Sequence, residues 1–142
     1  MKFNLKITEP VLKNENPKNL IHMHINNMHG DADHYSKNIL KFDPTNATHL
    51  DLLNNILSIY HIYKSYDPYT FMSSESKRFS ILHENGITDN DMIDRVLDHV
   101  FEPDITNDGS SWAIVESIEL TYFDSNGVEY HMIAISENDH AN

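Results

Sequence analysis

The chain contains no cysteine, which excludes disulfide bonds, thiolate metal sites and a cysteine nucleophile. Its few glycines are isolated, so none belongs to a glycine-rich loop that could cradle a phosphate. No apolar run approaches the roughly 20 residues that a membrane-spanning helix needs, and the N-terminus lacks the apolar core of a signal peptide. Together these absences predict a soluble, cytoplasmic protein without a membrane partner.

Positive charge is also scarce, because 10 basic residues face 22 acidic ones and leave a formal net charge of −12. The excess lies in residues 72–142, where three basic residues accompany fifteen acidic ones, whereas residues 1–71 are balanced. Such a field repels nucleic-acid backbones and anionic membranes and attracts basic partners. The charge therefore argues against direct nucleic-acid binding and predicts a protein partner with a basic surface, unless it serves solubility alone.

Hydrophobic periodicity predicts strands near both ends of the chain and helices between them. The N-terminal strands are expected at 2–8 and 20–25, ended by Pro10 and by Asn26-Asn27, and 38–42 is either a strand or an approach to a helix. Helices are expected at 47–65, after a start at Asp43-Pro44, at 74–84, and from Thr88 to Pro103. Asp67-Pro68-Tyr69 is expected to be a loop.

The clearest hairpin signal is Asn126-Gly127, the preferred pair for a two-residue type I′ turn. That turn would place Tyr122 opposite His131 and Leu120 opposite Ile133, on a face that we expect to belong to the core. A shift of one residue would exchange the two faces of the strand.

This order of elements predicts an α+β fold, with an antiparallel sheet of about four strands covered on one face by about three helices. The length most simply predicts one domain over residues 1–142, and we expect a disordered tail after Glu137.

The run from Leu20 to Tyr35 holds four of the ten histidines, two of them on one side of a predicted strand. Imidazoles and carboxylates are ligands for divalent cations, so the run allows a small metal-dependent hydrolase. The candidate ligands are His22, His24, Asp31, Asp33 and His34. Alternatively, the histidines lie on a solvated strand face and the aspartates cap a turn, with no metal and no cofactor.

The densest acidic run follows Thr88, and part of it falls on one face of the third predicted helix. Carboxylates in such a row could occupy a basic or DNA-binding cleft of a partner, or they could form a solvated helix face. The candidate partner-binding residues are Asp89, Asp91, Asp94, Asp98, Glu102 and Asp104.

The run His29-Gly30-Asp31-Ala32-Asp33-His34-Tyr35 resembles a His-Gly-Asp-Ala-Asp-x-Tyr run of small proteins of T4-type phages. Among these, the phage inhibitors of the host Lon protease are the first family to consider, and the resemblance carries over no functional residue. It implies a host-directed inhibitor without catalytic activity, acting in the host cytoplasm on an ATP-dependent protease such as Lon or on a DNA-acting enzyme. Homo-oligomerisation stays open.

Overall fold

The computed structural model describes residues 2–13, 19–29, 34–101 and 113–136, and these form five strands and four helices. The strands are β1 (Phe3–Lys13), β2 (Leu20–His29), β3 (His34–Phe42), β4 (Ala113–Phe123) and β5 (Val128–Ser136). The helices are α1 (Ala47–Ser65), α2 (Pro68–Phe71), α3 (Glu75–Glu84) and α4 (Asn90–Val100). The strands form one antiparallel sheet in the order β1-β5-β4-β2-β3, which confirms the predicted α+β class.

The chain divides into two compact units. The first is drawn from Met1–Ile25, Lys37–Asn54 and Ser117–Asn142, and the second from Asn26–Ser36 and Asn55–Glu116. One domain over the whole length stays a prediction, and the tail expected after Glu137 lies outside the described residues.

The first unit takes its core from the period-two pattern of β2. Ile21, Met23 and Ile25 are almost completely buried, at 2%, 0% and 0% exposure, as their alternation predicts. Near this core, the backbone amide of Phe3 donates a hydrogen bond of 3.0 Å to Oδ1 of Asn54. The alternating pattern thus fixes which face of β2 is apolar and leaves its histidines on the other.

Two expected strand ends are wrong. β1 continues past Pro10, which pairs with Tyr130, and it has register shifts on both sides of this pair. An edge strand tolerates proline because one side of its backbone has no partner strand. β2 likewise runs through Asn26-Asn27 to His29, and the alternative of a strand at 38–42 is confirmed within a longer β3. Pairing between neighbouring strands overrides the turn preference of asparagine here.

Side-chain caps set the helix starts. Oδ1 of Asn46 accepts hydrogen bonds from the amides of Thr48 and His49 at 3.0 and 3.2 Å, so α1 begins after Asn46 and not at Asp43-Pro44. Ser74 caps α3 in the same way, through the amide of Lys77 at 3.0 Å. Both helices otherwise match their predicted spans, because polar caps followed by an apolar stripe are a strong start signal.

An aromatic cluster fills the core of the second unit. The Tyr63 ring lies 5.3 Å from Phe71 and 5.1 Å from Phe101 between centroids, and its hydroxyl donates to the carbonyl of Val115 at 3.1 Å. Burial raises the pKa of Tyr63 well above its ordinary value. Phe71 belongs to α2, a one-turn helix capped by Asp67 where a loop was expected, because four residues are too short to show a helical period.

The predicted register of the C-terminal hairpin is wrong by one residue. Leu120 pairs with Met132 and Tyr122 with Tyr130, so His131 and Ile133 fall on the opposite face from Leu120. Ile133 is consequently 47% exposed and does not belong to the core.

The loop of this hairpin explains the shift. Among the described residues other than glycine only Asn19 has a positive φ, so Asn126 does not adopt the type I′ conformation. Within this loop only Gly127 has a left-handed φ, of 78°, which gives a three-residue loop with a glycine bulge. Oδ1 of Asp124 accepts hydrogen bonds from the amides of Asn126 and Val128 at 2.8 and 2.9 Å and holds this loop closed.

The two loop geometries predict different mutational effects. Gly127→Ala should lower the free energy of unfolding by about 1–2 kcal/mol, because an L-residue resists a left-handed φ. Asn126→Ala should cost clearly less, because its backbone is not left-handed. Urea denaturation of both variants measures this difference. An equal loss in the free energy of unfolding at the two positions would support the type I′ turn instead.

Candidate functional site

The exposed side of α4 carries three of the predicted partner-binding residues together. Asp91, Asp94 and Asp98 are all exposed, and we call this set the acidic face. The opposite side of the helix is buried, and each of its four apolar residues is at most 7% exposed: Ile93, Val96, Leu97 and Val100. A strongly amphipathic sequence therefore anchors the helix and holds the carboxylates towards solvent.

The other predicted acidic residues do not join this face. Asp89 caps α4, and its Oδ1 accepts the amides of Asp91 and Met92 at 3.1 and 3.2 Å, so its carboxylate serves the helix start. Glu102 and Asp104 lie outside the described residues.

A shallow groove of about 480 Å³ lies beside the acidic face. Its lining residues are Glu75, Ser76, Phe79, Asn90 and Asp94. Phe79 is half-buried. Asn90 is held by a hydrogen bond between its Oδ1 and Nε2 of His83, at 2.7 Å.

The groove combines an aromatic ring with two carboxylates, Glu75 and Asp94. A cation gains from both components, because a ring face attracts positive charge and a carboxylate pairs with it. Sequence reasoning missed Glu75 as a site residue. Its place in the first turn of α3 was the only available signal, and that position is common for structural acids.

The other predicted cluster starts on β2 with His22 and His24. These two residues contact Thr121 and Phe123 of the neighbouring strand β4 on one face of the sheet, and we call these four residues the histidine face. The ring of His22 lies 4.6 Å from the ring of Phe123 between centroids. Nε2 of His24 shares a hydrogen bond of 3.1 Å with Oγ1 of Thr121. Two neighbouring strands thus hold both imidazoles in place.

Both imidazoles favour the neutral form. Burial lowers the pKa of His22, which is only 8% exposed, and the charge of Lys41 adds to this effect. Burial also lowers the pKa of His24, together with the charge of Lys37 and against the smaller effects of Glu129 and Glu119. Nε2 of His22 and Nδ1 of His24 are buried without a hydrogen-bond partner, so protonation there would leave a charge without compensation.

The side chains of two of the five candidate metal ligands, His22 and His24, lie in the described part of the chain. The rings of His22 and His24 have centroids 6.3 Å apart. Asp31 and Asp33 lie outside the described residues, as does the side chain of His34. Within the described ranges, no three side chains of histidine, aspartate or glutamate converge in a way that could hold a metal ion.

No protein-family model, curated protein or solved structure matches this chain. The resemblance of His29–Tyr35 to small phage proteins stays a prediction from those residues. In the part of the chain that the structure describes, no helix is long and apolar enough to span a membrane.

The histidine face predicts an acid-sensitive fold. Because the folded pKa values of His22 and His24 lie below the ordinary value of 6.5, the unfolded chain binds protons first as the pH falls. The free energy of unfolding should therefore be fully retained above pH 6.5 and should decline as the pH falls below it. Urea denaturation between pH 7.5 and pH 5 measures this slope.

The double variant His22→Gln/His24→Gln should show a flatter decline, because neither position can then take up a proton. The matched control is His131→Gln, which replaces an exposed histidine ring. A double variant with the full parental slope would contradict the role of these two rings.

Proposed function

We propose that this chain is a non-enzymatic protein that binds and inhibits a bacterial host enzyme through the acidic face of α4. The observation that carries the proposal is the exposure of Asp91, Asp94 and Asp98 on one side of a helix whose other side is buried. A partner can bind these carboxylates without first ordering the backbone that carries them, because the helix is already packed against the core. Less conformational entropy is lost on binding as a result.

The energetics of the helix also fit a contact surface. Like charges three or four residues apart disfavour a helix by about 0.2–0.5 kcal/mol per pair, and the exposed Arg95, four residues after Asp91 and three before Asp98, offsets part of this cost. Basic side chains of a partner would relieve this repulsion and would raise the rate of association through long-range attraction.

Two target classes suit such a face, and both place the protein in the host cytoplasm. The resemblance of His29–Tyr35 to small phage proteins favours an ATP-dependent protease such as Lon. The spacing of the carboxylates favours a DNA-acting enzyme. From Asp91 to Asp98 the helix rises about 10 Å, and one DNA strand carries about three phosphates over that length.

The test starts from the purified chain used as bait in a bacterial lysate, followed by activity assays on the captured enzyme. We expect capture of an ATP-dependent protease or a DNA-acting enzyme, and a fall in its turnover when the chain is added. The variant Asp91→Asn/Asp94→Asn/Asp98→Asn should weaken this inhibition about tenfold, because exposed charge pairs contribute roughly 0.2–1 kcal/mol each.

The matched control is Glu9→Gln/Asp51→Asn/Glu84→Gln, which removes the same charge from three other exposed positions. It should inhibit as the parent does, and circular dichroism must show that both variants are folded. If the two variants inhibit equally, the acidic face is not a contact surface and its charge serves solubility. If the chain lowers the turnover of no captured enzyme, the proposal of inhibition is rejected.

A further inference from the structure

The two edge strands of the sheet differ in how they are protected. β1 and β3 are the outer strands in the order β1-β5-β4-β2-β3. β1 contains Pro10 and has register shifts between Ile7 and Glu9 and between Pro10 and Leu12. Proline and bulges are devices that keep an edge strand from pairing with another chain. β3 contains no proline along its nine residues.

β3 also differs from the rest of this acidic protein in its charge. Neither β2 nor β3 contains an acidic residue, whereas Lys37 and Lys41 are both exposed on β3. The two ammonium groups lie close enough to His22 and His24 to lower their pKa values. β3 therefore presents two exposed cations and no carboxylate of its own.

Ile39 lies midway between the two lysines and is 43% exposed. Because side chains two residues apart share one face of a strand, Lys37, Ile39 and Lys41 form a row, about 6.8 Å apart. We call it the β3 row. It presents a cation, an apolar side chain and a second cation along an edge strand.

We propose that β3 is a docking edge for an extended segment of a partner protein, in which acidic side chains flank an apolar one at every second position. The segment would add a strand about 4.8 Å from β3, as in recognition by β-strand addition. Backbone hydrogen bonds would hold it to the edge, and carboxylates would face Lys37 and Lys41. This inference is independent of the acidic face of α4.

A second copy of β3 fits this edge less well. Pairing two copies brings four lysines to one seam, and neither strand carries a carboxylate to offset them. Like charges on directly opposed or neighbouring positions destabilise a strand pair. An acidic segment matches the charge of the β3 row instead.

The probe is a fluorescein-labelled peptide, Thr-Glu-Thr-Val-Thr-Glu-Thr, titrated with the full chain and followed by fluorescence anisotropy. We expect saturable binding that weakens with added salt, and no binding of the counterpart in which lysine replaces glutamate. A third peptide keeps the acidic sequence but carries N-methyl groups on all of its backbone amides, so that neither edge can donate hydrogen bonds. It should lose binding, because strand addition needs those amides.

Lys37→Glu/Lys41→Glu should weaken binding of the acidic peptide at least about tenfold, since two attractive charge pairs become repulsive. The matched control, Lys2→Glu/Lys6→Glu, makes the same charge change at exposed positions at the other edge and should bind as the parent does. Circular dichroism must show that both variants are folded. The N-methylated peptide needs no variant, so its result stands even if one of them unfolds.

Three results would overturn the proposal. The first is equal binding of the N-methylated peptide, and the second is an equal loss in the Lys2/Lys6 control. The third is self-association of the parent chain in sedimentation velocity that Lys37→Glu/Lys41→Glu abolishes, because the edge would then pair with a second copy.

Discussion

The carboxylate of Asp124 accepts two backbone amides across a three-residue loop, and this contact fits the register of β5 against β4. The amide of Val128 is the main cause that lowers the pKa of Asp124, so the group stays ionised and a strong acceptor near neutral pH. β5 lies between β1 and β4 in the sheet. Its register therefore decides which side chains of three strands share a face, and it places Ile133 in solvent.

The helices could be predicted from the sequence because their signals are local. α1, α3 and α4 combine a polar cap with an apolar period of 3.6 residues, and the exposed side of α4 follows from that same period. The hairpin could not be predicted in detail, because an Asn-Gly pair fits both a two-residue turn and a longer loop with a glycine bulge. The side chain of Asp124 favours the second, and a pairwise turn rule does not include it.

The sites show the same division between local and non-local information. The acidic face could be predicted because Asp91, Asp94 and Asp98 belong to one helix. The groove beside it could not, because its residues come from two helices, and half-buried Phe79 looks like a core residue in sequence. The β3 row was missed because the edge position of a strand depends on sheet order, which is a property of the whole fold. A net charge of −12 likewise conceals a strand whose lysines are not accompanied by any acidic residue.

Carboxylate footprinting tests the acidic face as a contact surface most directly. Carbodiimide coupling labels exposed carboxylates, and mass spectrometry reports the labelling at each position in the free chain and in its complex with the captured enzyme. We expect Asp91, Asp94 and Asp98 to be protected in the complex, while the exposed Glu9 and Asp51 keep their labelling. Unchanged labelling of the three aspartates in a saturated complex would contradict a contact through α4.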